Sequence, residues 1–194
     1  MDKEINMNLT NEERMLQGYD YKPSNDLIEK IIKNKALVEE YNLTSLKNMN
    51  KRIELLNKIL GFKGENVFIY SPFNCDYGKH ISIDEGTFIN HNCVILDEAK
   101  VIIGKNVRIA PNVGIYTVNH VKEPIKRKEG YEFAKTITIE DNVWIGGNSA
   151  VLPGVTIGEN SIIGAGSVVN KDIPRNVIAA GNPCKVIKNL TEDK

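Results

Sequence analysis

Large aliphatic side chains recur every six residues at Ile139, Ile145, Val151, Ile157, Ile163 and Val169. Two positions before each stands an aliphatic or small residue: Ile137, Val143, Ser149, Val155, Ser161 and Ser167. One position after them come Gly146, Gly158 and Gly164, with Glu140, Leu152 and Asn170 as the exceptions. Neither the helical period of 3.6 nor the strand period of 2 produces a strict six. A period of six with one large aliphatic per unit predicts a parallel β-helix. Each unit makes one short strand and one turn, and three units close one coil of a triangular prism. The aliphatic points inward, the small residue shares that interior, and glycine is expected at turns that want positive φ.

The repeats start near Val67, are ragged through Tyr77, and are regular at Ile83, Ile89 and Ile95. The step from Ile95 to Ile103 is eight, which places a two-residue insertion at 97–100, to be taken up by a bulge or a wider corner. The register resumes at Ile103, Ile109 and Ile115. Residues 118–135 carry no repeat and much charge, so they are expected to form a loop that leaves the prism; long charged loops in compact domains are often functional. Twelve regular units, or four coils, are expected after the ragged start. After Val169 the pattern stops. Residues 173–194 are expected to form an extended tail, since its prolines oppose a helix.

Residues 1–61 differ in kind, with few glycines and many Lys, Glu, Asn and Leu. Thr10 and Glu13 form a capping-box pair opening a short helix. Leu27, Ile28, Ile31, Ile32, Val38 and Tyr41 make a helical stripe over 26–42, and a second runs from Ser45 to Leu60 with Gly61 as its stop. The chain therefore divides into a helical cap (1–61), a β-helix (62–172) and a tail (173–194). The cap is expected to cover an open end of the prism and to wall a pocket.

Lysine and arginine together number 25, as do aspartate and glutamate. This balance gives no reason to expect nucleic acid or an anionic membrane as a partner. No apolar run approaches the roughly 18 residues of a membrane span. The N-terminal residues are too polar for a signal peptide. The three cysteines (Cys75, Cys93, Cys184) cannot all pair and include no CxxC, so free thiols and a cytoplasmic location are expected.

His120 stands at the mouth of the 118–135 segment, where a rigid scaffold meets a loop. Histidine as a residue type titrates near pH 6.5 and can accept a proton at neutral pH. His80, His91 and His120 occupy unlike points of the repeat, which argues against a zinc site. Asn90 and Asp76 are polar residues at turn positions, each equally readable as a solvated turn residue. Trp144 alternates with the inward Val143 and Ile145, so it faces outward and wants a ligand or another subunit. Lys171, Lys185 and Lys188 lie on the tail side, where they could meet a phosphate.

The segments 142–147 (Asn-Val-Trp-Ile-Gly-Gly), 153–158, 163–169 and 181–187 (Gly-Asn-Pro-Cys-Lys-Val-Ile) resemble those of the maltose and galactoside O-acetyltransferases. Residues 12–18 resemble that family's N-terminal helical region, and the likeness covers nearly the whole chain. The resemblance implies a mainly β fold, a left-handed parallel β-helix, with an α-helical cap and an extended C-terminal tail. It also implies a homotrimer with sites between subunits and acetyl transfer from acetyl-CoA to a sugar hydroxyl, with no metal. His120 aligns with the family's catalytic histidine, a general base, and Gly147 with the backbone donor to the oxyanion. Asp76, Asn90 and, loosely, Asn25 align with acceptor-side positions. Trp144, Gly147, Ala165, Asn170, Lys171, Lys185 and Lys188 align with the lining of the CoA groove. Val121 replaces the proline that commonly follows the histidine, and Ile31 replaces a basic residue. An amino sugar, an antibiotic hydroxyl or serine could use the same histidine and groove; a non-catalytic trimeric scaffold is the third possibility. The helical cap favours the sugar enzymes over the serine enzymes.

Overall fold

The computed structural model describes residues 9–190, so the first eight residues, on which much of the signal-peptide argument rests, and the end of the tail lie outside the described residues. Three sheets of parallel strands wrap one core. The first face comprises Phe62–Lys63, Ile81–Ile83, Val101–Ile103, Ile137–Ile139 and Thr156–Ile157. The second comprises Phe68–Ile69, Phe88–Ile89, Arg108–Ile109, Trp144–Ile145, Ile162–Ile163 and Val177–Ala180. The third comprises Phe73–Cys75, Cys93–Leu96, Gly114–Tyr116, Ala150–Val151 and Val168–Val169. The chain visits the faces in turn, so each coil adds a rung to all three. The result is a left-handed parallel β-helix.

The six-residue period is the spacing of inward side chains around this prism. Ile145 pairs with Ile109 on one side and Ile163 on the other, and all three are buried. Burying each such side chain stabilises the fold by roughly 1.5–3 kcal/mol. The serines of the small slot are buried but satisfied. Ser161 donates to the Pro174 carbonyl at 2.7 Å and accepts from the Val177 amide at 3.2 Å.

The glycine expectation needs correcting. Gly146, Gly158 and Gly164 do not have positive φ. They are small because the next coil passes directly over them: a Cβ on Gly146 would lie 2.5 Å from the Ala165 nitrogen, and one on Gly158 2.5 Å from the Arg175 nitrogen. The left-handed turn residue comes three positions after the aliphatic. It is Asn142, Asn148 and Asn160 in three units and Gly154 and Gly166 in two. Asparagine tolerates that region better than other side chains.

Coil length varies, and the variation positions the site. Ile69, Ile89 and Ile109 stack at intervals of twenty residues, Ile145 and Ile163 at eighteen, and Ile163 and Ala179 at sixteen. The ragged start is therefore fully in register; its coils are longer. The extra residues fall where the third face turns into the first, at 76–80 and 97–100. At the same edge of the third coil, residues 118–135 are not a plain loop. They form an antiparallel hairpin, Val118–His120 with Glu132–Ala134, bridged by a short helix. The tail is likewise more than an extension. Val177 and Ala179 fill inward positions, and Lys185–Asn189 folds back antiparallel on Val177–Ala180.

Helix α1 (Asn11–Leu16) has the expected capping box, with the Glu13 amide donating to Thr10 Oγ1 and the Thr10 amide to Glu13 Oε2. Helices α2 (Asn25–Leu43) and α3 (Met49–Ile59) bring Val38, Tyr41, Leu55, Leu56 and Ile59 into the same core as the first coil. The cap thus closes that end of the prism. Arg52 of α3 is the fastening. Although 2% exposed, it donates to the carbonyls of Tyr41, Thr44 and Ile69 and to Ser71 Oγ. Helix α4 (Pro124–Lys128) starts on Glu123, whose carboxylate accepts from the amides of Ile125 and Lys126. All three cysteines are free and buried. Among the described residues no helix is long and apolar enough to cross a membrane.

Candidate active site

Two edges of the prism carry the residues singled out in the sequence. Along the edge from the third face to the first stand Asp76, the His120 hairpin, and Asn170 with Lys171, in the first, third and fifth coils. Along the edge from the second face to the third stand Asn90, Gly147 and Ala165. Within one chain these edges are separated by a side of the prism, about 15 Å for the four or five extended residues that span it. Asn25 sits exposed in the first turn of α2, and no described contact joins it to Asp76 or Asn90.

His120 ends the outgoing strand of the hairpin with its side chain 63% exposed. Directly opposite, in register, is Glu132, and Nδ1 lies 3.8 Å from Glu132 Oε1. That is an ion-pair distance and longer than a hydrogen bond. Nε2 is on the far side of the ring. The backbone is tied down on either side: the His120 amide donates to Asn119 Oδ1, and the Val121 amide donates to the Tyr131 carbonyl at 3.4 Å. A proline at 121 could not make that second bond.

Below the hairpin the two lengthened coils place three carboxyl groups together, and sequence reading missed two of them. Asp97 is fully buried; its Oδ1 accepts from the amides of Asp76 and Tyr77 at 3.0 and 2.9 Å. Asp97 Oδ2 and Glu98 Oε2 have no hydrogen-bond partner. Burial, and after it the nearby Asp76 carboxylate, push the Glu98 carboxyl up to about 9. Burial also raises Asp97, opposed by the neighbouring His80. Asp76 is not a solvated acid: Lys35 of α2 pairs with it at 2.7 Å. The consecutive acids at 97 and 98, inside a two-residue lengthening, were the available signal. His80 Nδ1 is engaged with the Asp97 carbonyl, and His91 Nδ1 with that of Ser71. Among the described residues no group of His, Cys, Asp and Glu converges as a metal site.

On the second-to-third edge, Asn90 Oδ1 accepts from the His91 amide. The left-handed residue of that turn is Asn92, not Asn90. Gly147 is the first turn residue after its strand, and its amide makes no backbone hydrogen bond among the described residues. A Cβ there would be 3.1 Å from the Pro111 carbonyl oxygen. Trp144 faces outward, 53% exposed, as alternation requires. Ladder pairing sets Trp144, Ile162, Ile178 and Lys188 in one outward row across four neighbouring strands. An apolar strip thus ends on a lysine, with Lys185 on the same strand. Asn170 and Lys171 lie at the other edge, exposed.

Residues 14–64 match the maltose acetyltransferase hexapeptide capping motif, and residues 136–171 match the bacterial transferase hexapeptide (six repeats). A galactoside O-acetyltransferase from Escherichia coli is 43% identical over 86% of this chain and 82% of its own. The crystal structure of a maltose O-acetyltransferase from Clostridium difficile superimposes with a TM-score of 0.93 and 42% identity, over 95% of this chain and 99% of its own. A galactoside acetyltransferase in complex with coenzyme A superimposes with a TM-score of 0.91 and 39% identity, over 95% and 93%. On its capping motif, its repeats and these relatives, the chain belongs to the maltose and galactoside O-acetyltransferase family of hexapeptide-repeat acyltransferases.

Proposed function

We propose that the protein moves the acetyl group of acetyl-CoA to a sugar hydroxyl by direct attack, with His120 as general base, in a homotrimer whose sites lie between subunits. The observation that carries this reading is the carboxylate of Glu132 on the Nδ1 side of an exposed His120, at 3.8 Å. That placement favours the Nδ1–H tautomer and leaves Nε2 to take a proton. A sugar hydroxyl is too weak an acid to ionise at neutral pH. Its proton therefore passes to Nε2 as the oxygen attacks the thioester carbonyl carbon. The tetrahedral intermediate collapses with cleavage of the C–S bond, and the imidazolium returns the proton to the departing CoA thiolate. No acyl-enzyme forms.

The Gly147 amide, lacking a backbone partner, is suited to donate to the oxyanion. The row from Trp144 to Lys188 offers an apolar surface for pantetheine and cations for phosphates, joined by Lys185 and Lys171 and by backbone at Ala165 and Asn170. Asp76 and Asn90 are the acceptor side. The Asp76 carboxylate, partly exposed beside Lys35, suits an acceptor that donates hydrogen bonds, as a polyol does. His120 and Gly147 lie on different edges of one chain. A second copy that sets its second-to-third edge against the first copy's third-to-first edge brings them together, and cyclic repetition of that contact closes a trimer.

The test is an acceptor panel with acetyl-CoA and a free-thiol readout, covering galactosides, maltose, glucose, amino sugars and serine. Thiol release with a neutral sugar, carrying O-acetyl product, is the expected result. Release with serine or amines alone would overturn the sugar assignment.

A further inference from the structure

Tyr21 lies in the loop between α1 and α2, 1% exposed, and grips Glu132 at three points. The Tyr21 amide donates to the Glu132 carbonyl and the Glu132 amide to the Tyr21 carbonyl, both at 2.9 Å. The phenol donates to Glu132 Oε2, also at 2.9 Å. The two backbone bonds form an isolated antiparallel bridge. The cap thus adds a one-residue strand to the outer edge of the His120 hairpin. Since Glu132 also pairs with His120, the residues Tyr21, Glu132 and His120 form one row across three neighbouring strands. Directly paired residues project to the same face, so their side chains are neighbours in sequence along that row. With Oε2 held by the phenol, Oε1 is the oxygen presented to His120 Nδ1.

We propose that Tyr21 is a positioning residue for acetyl transfer, fixing the Glu132 carboxylate so that it orients His120. This rests on the general-base reading of His120 given above. The phenol is a permanent donor, because burial and then the Glu132 charge hold it protonated far above its ordinary range. The ionisable groups acting on it are Glu132 from the hairpin, Glu98 from the lengthened coil and Tyr77 from the coil below. The loop itself does not depend on the phenol. Arg14 Nε donates to the Asp20 carbonyl at 2.9 Å, and Lys126 of α4 pairs with Asp20 at 3.1 Å. Removing the hydroxyl alone therefore leaves the bridge and the loop in place. It frees a carboxylate, 22% exposed, to turn away from the imidazole.

The experiment uses the full-length enzyme with acetyl-CoA and its best acceptor, comparing wild type, Tyr21→Phe, Glu132→Gln and the double variant. Tyr21→Phe is expected to lower kcat about tenfold with both KM values within about twofold. Adding Tyr21→Phe to Glu132→Gln should not lower kcat further. A wild-type kcat in Tyr21→Phe would overturn the proposal. So would a loss carried by either KM rather than by kcat, or full additivity with Glu132→Gln. If His120→Ala were itself active, the general-base reading would fail first; an inactive His120→Ala beside an unaltered Tyr21→Phe would remove this proposal alone.

Discussion

Glu132 faces His120 across the hairpin, with Oε1 3.8 Å from Nδ1 and the two residues in direct register. The carboxylate stabilises the imidazolium only once a proton has been taken, so its contribution belongs to the transition state. Glu132→Gln should therefore lower kcat about 10- to 100-fold and leave both KM values within about twofold. Steady-state kinetics with each substrate varied checks this; a rise in acceptor KM at unchanged kcat would instead make Glu132 a binding residue.

The outward row from Trp144 to Lys188 makes a separate prediction. Truncating Trp144 removes the largest apolar surface on that strip without touching the core, since the side chain is 53% exposed. Trp144→Ala should raise KM for acetyl-CoA about tenfold, equivalent to about 1.4 kcal/mol of binding. Acceptor KM and thermal stability should hardly change. An unchanged acetyl-CoA KM in initial-rate data would move the CoA groove elsewhere.

Glu98 gives the fold a pH dependence of definite sign. Its carboxyl is raised from 4.5 to about 9 in the folded protein, by burial first and then by Asp76. Between those values the native state holds a proton that the unfolded chain has released, so stability falls as pH rises from about 5 to about 9. Glu98→Gln should flatten that fall and raise Tm by about 5 °C at pH 8.5, with little effect at pH 5. Melting curves across the range decide it. A wild-type slope retained in Glu98→Gln would place the titration on another group.

Much of this was legible in the sequence, for physical reasons. Each side of the prism turns a large aliphatic inward at the same point of its strand, so Ile139 to Val169 betray the coil by spacing alone. The Thr10–Glu13 cap is a local device written in four consecutive residues. What was not legible depended on neighbours far along the chain. The demand for glycine at 146, 158 and 164 comes from the coil above, not from the turn. Asp97 and Glu98 showed only as part of an insertion at 97–100, and only the stacking of lengthened coils against the cap buries them. Glu132 lies in a charged, non-repeating segment whose hairpin pairing gives no hydrophobic alternation. The last coil was hidden because its step to Ala179 shrinks to sixteen residues.

Two kinds of glycine should respond oppositely. A Cβ at Gly146 would meet the Ala165 nitrogen at 2.5 Å and the Ile163 oxygen at 2.8 Å, both main-chain atoms that cannot move alone. Gly146→Ala should cost about 3 kcal/mol or more. Gly166 has φ of +72° and nothing within 4 Å of an added Cβ. Asparagine already fills the equivalent turn position at Asn142, Asn148 and Asn160, so Gly166→Asn should lie within about 1 kcal/mol of wild type. Chemical denaturation of the two variants separates steric from conformational demand.

The central claim is that the imidazole of His120 removes the acceptor proton. The most direct measurement is kcat for His120→Ala with acetyl-CoA and the best acceptor, alongside acetyl-CoA affinity by calorimetry. The account predicts that kcat falls about 10³-fold while acetyl-CoA binds as in wild type. A kcat within a few fold of wild type would contradict it.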